Sequence, residues 1–357
     1  MIPAAYASID LEALKHNLMR VRQLAPAAKV MAVIKANAYG HGLLQIAEGL
    51  GDVDAVAVAR VDEGKRLRES GFSKRIIILE GFVGEAEMIE LLNFDLEMVV
   101  HSVEQVNVIE QYRGSKQISV WLKLDTGMNR LGFKSAEFSS VYERLLDCQC
   151  VIQPISLMTH FSSADEIDKS PTEQQMALFE QAVGNYPGEK SAANSAAIIN
   201  FPMTAADWVR PGVMLYGVSP FVHETANKLN LKPVMSFYSR LISVKQIEKG
   251  EAVGYAGTWV AQKPTRLGVV AIGYGDGYPR YAETGTPVLV NGIRVSLVGR
   301  VSMDMMTVDL GDTNGKVGDA VTLWGEGLPV EEIASHSNTI PYTLLCGITQ
   351  RVKIINS

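Results

Sequence analysis

Residues 29–42 read KVMAVIKANAYGHG. The run Lys29–Ile34 is apolar beyond its first residue and does not alternate with polar positions, so it reads as a strand covered on both faces. Lys35 follows at once, and then the chain breaks into Asn, Tyr, Gly, His and Gly. A lysine at the end of a buried strand is costly unless it is paired, neutralised or covalently used. The plainer alternative is that Lys35 caps the strand and points to water. The rest of the chain decides between these readings.

Outward from this stretch, strands and helices alternate. IDLEALKHNLMRVRQL precedes it as an amphipathic helix with Asp10 as N-cap. After it, helix-like GLLQIAEGLG, VDEGKRLRES, GEAEMIELLN, VEQVNVIEQY, FSSVYERLLD and PTEQQMALFEQAVGN separate the strand-like runs DAVAVA, RIIILE, LEMVV, QISVWLKLD, VIQPISLMTH and KSAAN. SAAIIN is a short helix, and DWVRPGVMLYG is a last strand with a turn. With KVMAVIK the strands number eight. Eight strands alternating with helices within about 230 residues predict a (β/α)8 TIM barrel. From about Lys232 the helices thin out, and SRLISVKQI, RLGVVAIGY, TPVLV, IRVSLVGRV, MMTVDL and AVTLWG read as strands. Asn291-Gly292 between apolar runs signals a type I′ hairpin, and LPVEEIAS a short helix. The predicted organisation is a barrel over 1–230 and a mostly β domain over 231–357.

The bulk properties exclude several classes. A net charge of −6 gives no electrostatic reason to bind nucleic acid or an anionic membrane. No apolar run reaches the roughly 18 residues that a membrane span needs. The first residues lack a basic segment followed by an apolar one, so no signal peptide is expected and a cytoplasmic location is. Three cysteines, Cys148, Cys150 and Cys346, are too few and odd for a disulfide framework, which points to a reducing compartment. Cys148 and Cys150 form a lone C-x-C without the further ligands of a zinc site.

In such a barrel the chemistry sits where strands end and loops begin. Lys35 ends one predicted strand. Lys123, Asp125 and Arg130 lie at and beyond the end of QISVWLKLD, and His160 ends VIQPISLMTH. Asn194 and Ser195 open a helix after KSAA, and Arg210 lies in DWVRPG. Each has an ordinary alternative: a surface ion pair for Arg130, a satisfied core histidine for His160, a simple N-cap for Ser195. All share one predicted face. A mouth lysine, with a serine and glycines at a late helix start, suggests a phosphorylated carbonyl cofactor, because lysine forms Schiff bases with aldehydes. A Schiff-base aldolase on the same fold would share these features.

VIKANAYGHG, LKLDTGMNRLGF, MTHFSSAD, NSAA, WVRPGVMLYG, VGYAGTW, IGYGDGYPR, GRVSMDMMTVD and LLCGITQRV occur in that order. With these stretches the chain resembles the alanine racemases, fold-type III pyridoxal 5'-phosphate enzymes, over essentially its whole length. The resemblance implies a homodimer in which each site lies between one subunit's barrel and the other's β domain. Lys35 resembles the lysine that carries the cofactor and serves as one base. Tyr255 resembles the second base, supplied across the dimer. Arg130 resembles the arginine near the cofactor's phenolic oxygen and the substrate carboxylate, and Lys123 the lysine carbamylated in many members. Arg210 resembles the partner of the pyridine nitrogen, supported by His160. Tyr39, Ser195, Gly212 and Tyr342 resemble phosphate ligands, with Asn194 beside them in the cofactor-binding set. Met303 resembles the residue whose N–H meets the substrate carboxylate, and Tyr274 and Asp304 line the mouth and inner pocket. His41, between glycines, reads as a loop residue.

The implied reaction needs one acid–base group on each side of the α-carbon. Lysine and tyrosine both have ordinary pKa values near 10, so the site must lower them. Arginine keeps its proton, so Arg210 at the ring nitrogen weakens the electron sink and favours racemisation over transamination or decarboxylation. A non-catalytic pyridoxal-phosphate carrier would resemble the barrel alone, without the domain bearing Tyr255. Serine, lysine or arginine as substrate stays open, because one methylene is worth only about 1–3 kcal/mol of discrimination. The role, D-alanine supply for peptidoglycan or alanine breakdown, stays open too.

Overall fold

The computed structural model describes residues 4–356. Its chain opens on a strand, β1 (Tyr6–Ile9). Asp10 then caps the helix Leu11–Leu24, its carboxylate accepting from the Ala13 N–H at 2.9 Å. That cap satisfies one of the helix's free N–H groups. Asp10→Ala is expected to cost about 1 kcal/mol of stability, measurable as a lowered urea midpoint at unchanged slope.

Eight parallel strands close a barrel: β2 (Lys29–Val33), β3 (Ala55–Val58), β4 (Arg75–Ile78), β5 (Glu97–Val100), β6 (Val120–Lys123), β7 (Ser156–Met158), β8 (Lys190–Asn194) and β9 (Trp208–Arg210). β9 pairs with β2 and completes the ring. Helices cover the outside, so the strands are almost wholly buried, which is why their sequences show apolar runs rather than alternation. At the N-terminal end, Arg75 binds Glu97 and Glu189 and lies over the rings of Trp208 and Trp121. That end is plugged; the other end opens into the cavity described below.

The second domain is an eight-stranded sheet. Along the chain it contains β10 (Met235–Ile247), β13 (Thr265–Val270), β14 (Pro287–Val290), β15 (Ile293–Leu297), β16 (Met306–Asp309), β17 (Ala320–Trp324) and β18 (Lys353–Asn356). β11 (Ala252–Val253) and β12 (Trp259–Val260) form a separate short ribbon. The eighth strand is β1, antiparallel to β10 and parallel to β18. The first residues of the chain therefore belong to the β sheet, although the barrel follows them. Asn291 and Gly292 both have positive φ, 50° and 79°, as a type I′ hairpin requires.

Two predicted elements are shorter than their apolar runs suggest. Only Ser156–Met158 of VIQPISLMTH is a strand, and only Trp208–Arg210 of DWVRPGVMLYG. The latter run continues as a 3-10 turn over Val213–Tyr216, where Pro211 and Gly212 end the ladder. The helix Pro341–Cys346 returns from the second domain and packs on the turn after β2. It carries Tyr342 and Cys346 to the barrel mouth.

Candidate active site

A cavity of about 1080 Å³ occupies the C-terminal end of the barrel. Lys35, Tyr39, Lys123, Arg130, His160, Asn194, Ser195, Arg210, Gly212 and Tyr342 all line it. The barrel topology explains the convergence: Lys123 and Arg210 are the last residues of β6 and β9, and His160 lies two beyond β7. Lys35 is also two residues past its strand, on the loop rather than its end.

The segment after Lys35 is strained. Ala36, Asn37, Ala38 and Tyr39 all have φ between 52° and 54°, a left-handed turn of four non-glycine residues. Such a conformation costs roughly 1–2 kcal/mol per residue. Surrounding contacts hold it. Asn37 N–H donates to Glu63 at 3.3 Å, and Asn37 Oδ1 accepts from Leu43 N–H at 3.0 Å. Gly40 continues with φ 81° and lies under the Leu345 carbonyl, where a Cβ would be 2.0 Å from the oxygen.

The site is cationic. Arg210 is buried and its guanidinium donates to Ser191 Oγ at 2.6 Å, to the carbonyls of Thr159 and Ala192, and toward His160 Nδ1 at 3.3 Å. None of these partners is a carboxylate. Burial lowers its pKa to about 10, so it remains charged at neutral pH. Burial, then Arg210 and Lys123, push His160 well below its ordinary value, and the imidazole is neutral. Burial, then the charges of Arg210, Arg130 and Lys35, bring Lys123 down to about 8. Burial and then Arg130 lower Lys35 as well. Four positive or potentially positive groups thus face one cavity, and an anionic ligand would relieve their repulsion. Asp125 is turned to the loop instead: it binds Lys134 at 2.6 Å and accepts from the N–H groups of Gly127 and Asn129, both at 3.0 Å.

Tyr39, Ser195, Gly212 and Tyr342 are contiguous. Ser195 Oγ accepts from Gly212 N–H at 2.8 Å. A Cβ on Gly212 would lie 2.6 Å from the Tyr39 hydroxyl, and the Tyr39 and Tyr342 rings are 5.9 Å apart. Burial, then the neighbouring Tyr342, raises the Tyr39 pKa; burial raises Tyr342 to about 12. Both phenols keep their protons and can donate to an anion. Asn194, not Ser195, caps the helix Ser195–Asn200, which leaves the serine hydroxyl at the cavity.

Tyr255, Tyr274, Met303 and Asp304 lie elsewhere. They belong to the second domain and do not line this cavity. Tyr255 is 67% exposed on the one-turn segment Tyr255–Gly257, and Met303 is 53% exposed. Gly275 N–H donates to the Met303 carbonyl at 2.9 Å, and Asp304 binds Arg351 at 2.8 Å. Residues to which the sequence reading gives no site role also matter here. Gln175 bridges Thr126 and the His160 carbonyl, Cys346 lines the cavity, and His41 and Tyr216 pack behind Tyr39. Their types and spacing carry no signal that would single them out.

A barrel with this cationic mouth matches the family description "Alanine racemase, N-terminal domain" over residues 9–220, and "Alanine racemase, C-terminal domain" matches 234–356. Fold and site thus define an isomerase acting on amino acids. More particularly, the chain belongs to the alanine racemase family, whose members are pyridoxal-phosphate-dependent and interconvert L- and D-alanine. It is 50% identical to the alanine racemase of Shewanella loihica over 355 residues, 99% of either chain. It is 50% identical to that of Vibrio cholerae over 98% of either chain. The crystal structure of the biosynthetic alanine racemase from Pseudomonas aeruginosa superposes with a TM-score of 0.96 at 42% identity, covering both chains fully.

Proposed function

We propose that this chain racemises alanine by a two-base mechanism, with Lys35 and Tyr255 of the partner subunit on opposite faces of the α-carbon. The observation that carries the reading is Arg210, buried, locked by uncharged partners and facing the same cavity as Lys35. The residues present fit pyridoxal phosphate. Lys35 would hold its carbonyl carbon, Arg210 with His160 its ring nitrogen, and Tyr39, Ser195, Gly212 and Tyr342, beside Asn194, its phosphate. When bound, the cofactor withdraws electrons from the amino acid and so acidifies the α C–H. Lys35, whose lowered pKa favours the free amine, takes or returns the α-proton on one face. Tyr255 does so on the other. Arg210 keeps its proton and so would leave the ring nitrogen unprotonated, which weakens the electron sink and favours return of the proton to the α-carbon. Arg130 and the Met303 N–H bind the substrate carboxylate, and Tyr274 and Asp304 shape the approach. The enzyme works in the cytoplasm, in D-alanine supply or alanine breakdown.

Tyr255 and Lys35 belong to separate surfaces of one chain, so the reading requires a homodimer with shared sites. Mixing inactive Lys35→Ala and Tyr255→Phe subunits is expected to restore about a quarter of wild-type activity, since half the dimers would be mixed and each would have one intact site. No recovery after verified subunit exchange would overturn the shared site.

The low pKa of Lys123 extends the reading. A free amine adds to carbon dioxide through a new N–C bond and releases a proton, giving a carbamate. That anion would offset the surrounding cations and orient Arg130. Carbon-13 NMR of protein equilibrated with labelled bicarbonate is expected to show a carbamate resonance that grows from pH 7 to 9, around the Lys123 value of about 8. It should vanish in Lys123→Ala; an unchanged resonance there would refute the assignment.

A further inference from the structure

His41 lies one residue beyond the strained turn, after Gly40, and has no access to solvent. Its Nδ1 lies 3.0 Å from the Ala38 carbonyl and 2.9 Å from the Tyr39 carbonyl. Two acceptors at one ring nitrogen fix the tautomer: Nδ1 carries the hydrogen and donates to both. Nε2 is buried without a partner among the described residues. A buried imidazole with one unsatisfied nitrogen is a net cost, so the contacts on its other side must compensate. Those contacts lead to the site. The His41 ring lies 4.5 Å from the Tyr216 ring, which lies 4.7 Å from Tyr39, and Tyr39 reaches Tyr342 at 5.9 Å. Tyr216 is fixed in turn by its hydroxyl, which donates to the Val33 carbonyl at 3.1 Å.

We propose that His41 is a positioning residue: its Nδ1–H clamps the carbonyls of Ala38 and Tyr39, holds residues 36–39 left-handed, and so aims Lys35 and Tyr39 into the cavity. The clamp acts where the chain most needs it, because no glycine occupies positions 36–39. This inference rests on the reading that Lys35 and Tyr39 hold pyridoxal phosphate.

Two variants separate the donor from the ring. Asn places an amide N–H where His has Nδ1–H, so His41→Asn retains the donor. His41→Phe retains the ring and loses the donor. Wild-type protein is first reduced with borohydride in the presence of pyridoxal phosphate and mapped; label on Lys35 upholds the underlying reading, and no label there overturns that reading alone. Each variant's dissociation constant for pyridoxal phosphate and the pH midpoint of the bound cofactor's absorbance are then measured. His41→Phe is expected to weaken binding at least about tenfold and to move the midpoint, as a displaced reacting group does, with His41→Asn within about threefold of wild type. Overturning results are His41→Phe indistinguishable from wild type, or equal losses in both variants. If His41→Phe does not fold, nitrogen-15 histidine NMR of the wild type still decides. One of the six histidines should show a protonated Nδ1, a bare Nε2 and no titration from pH 5 to 9. Absence of that signature overturns the clamp.

Discussion

Lys35→Ala is expected to lower the interconversion of L- and D-alanine by at least about 10³-fold without unfolding the protein, since the variant loses both a covalent anchor and an acid–base group. The fold should survive because, among the described residues, the Lys35 ammonium has no ion-pair or hydrogen-bond partner to lose. Burial and Arg130 lower its proton affinity in the folded state, so the charged lysine opposes folding at neutral pH. That cost is present below the folded pKa and fades as pH rises toward the higher unfolded value. Compared without pyridoxal phosphate, the alanine variant should therefore equal or exceed wild type in stability near neutrality, and the difference should shrink at alkaline pH. Activity, thermal unfolding and retention of cofactor on gel filtration, measured together, check this. A variant that stays active, or one that loses activity only because it unfolds, would contradict it.

The second large effect is on stability. Gly40→Ala should cost about 2–4 kcal/mol and weaken pyridoxal-phosphate binding. Its φ of 81° disfavours any side chain, and the new Cβ would lie 2.0 Å from the Leu345 oxygen and 2.9 Å from its carbonyl carbon. Both atoms are backbone, so the helix Pro341–Cys346 must move, and Tyr342 with it. Gly250→Ala is the control: its φ is 93°, yet nothing lies within 4 Å of the added Cβ. That variant should lose only the strain term, about 1 kcal/mol, with binding unchanged. Equal losses in the two variants would show that the Leu345 contact is not what makes Gly40 necessary.

The barrel was legible because most of its strands are short apolar runs flanked by helical periodicity, with KSAAN the weakest of them. Lys123 and Arg210 stand out because a charged residue closes such a run. β1 was not legible: YASI is four residues long, and its partners lie more than two hundred residues further on. The left-handed turn was not legible either, because Ala36, Ala38 and Tyr39 are residues that avoid that conformation and the contacts holding it come from Glu63, Leu43 and His41. His41 reads as a loop residue in sequence; in the structure it is buried and tied to that turn. Tyr255, Tyr274, Met303 and Asp304 carry no local chemical signature, so only resemblance points to them. They are exposed within one chain, and the proposed reading gives them a role only beside a second copy.

The two-base mechanism is tested most directly by the reaction of the purified holoenzyme with L-alanine in deuterium oxide, following D-alanine and α-deuterium together. The expected product is D-alanine carrying α-deuterium, with formation abolished by Lys35→Ala and nearly abolished by Tyr255→Phe. D-alanine formed at wild-type rate by Tyr255→Phe, or a holoenzyme that yields no D-alanine, would contradict it.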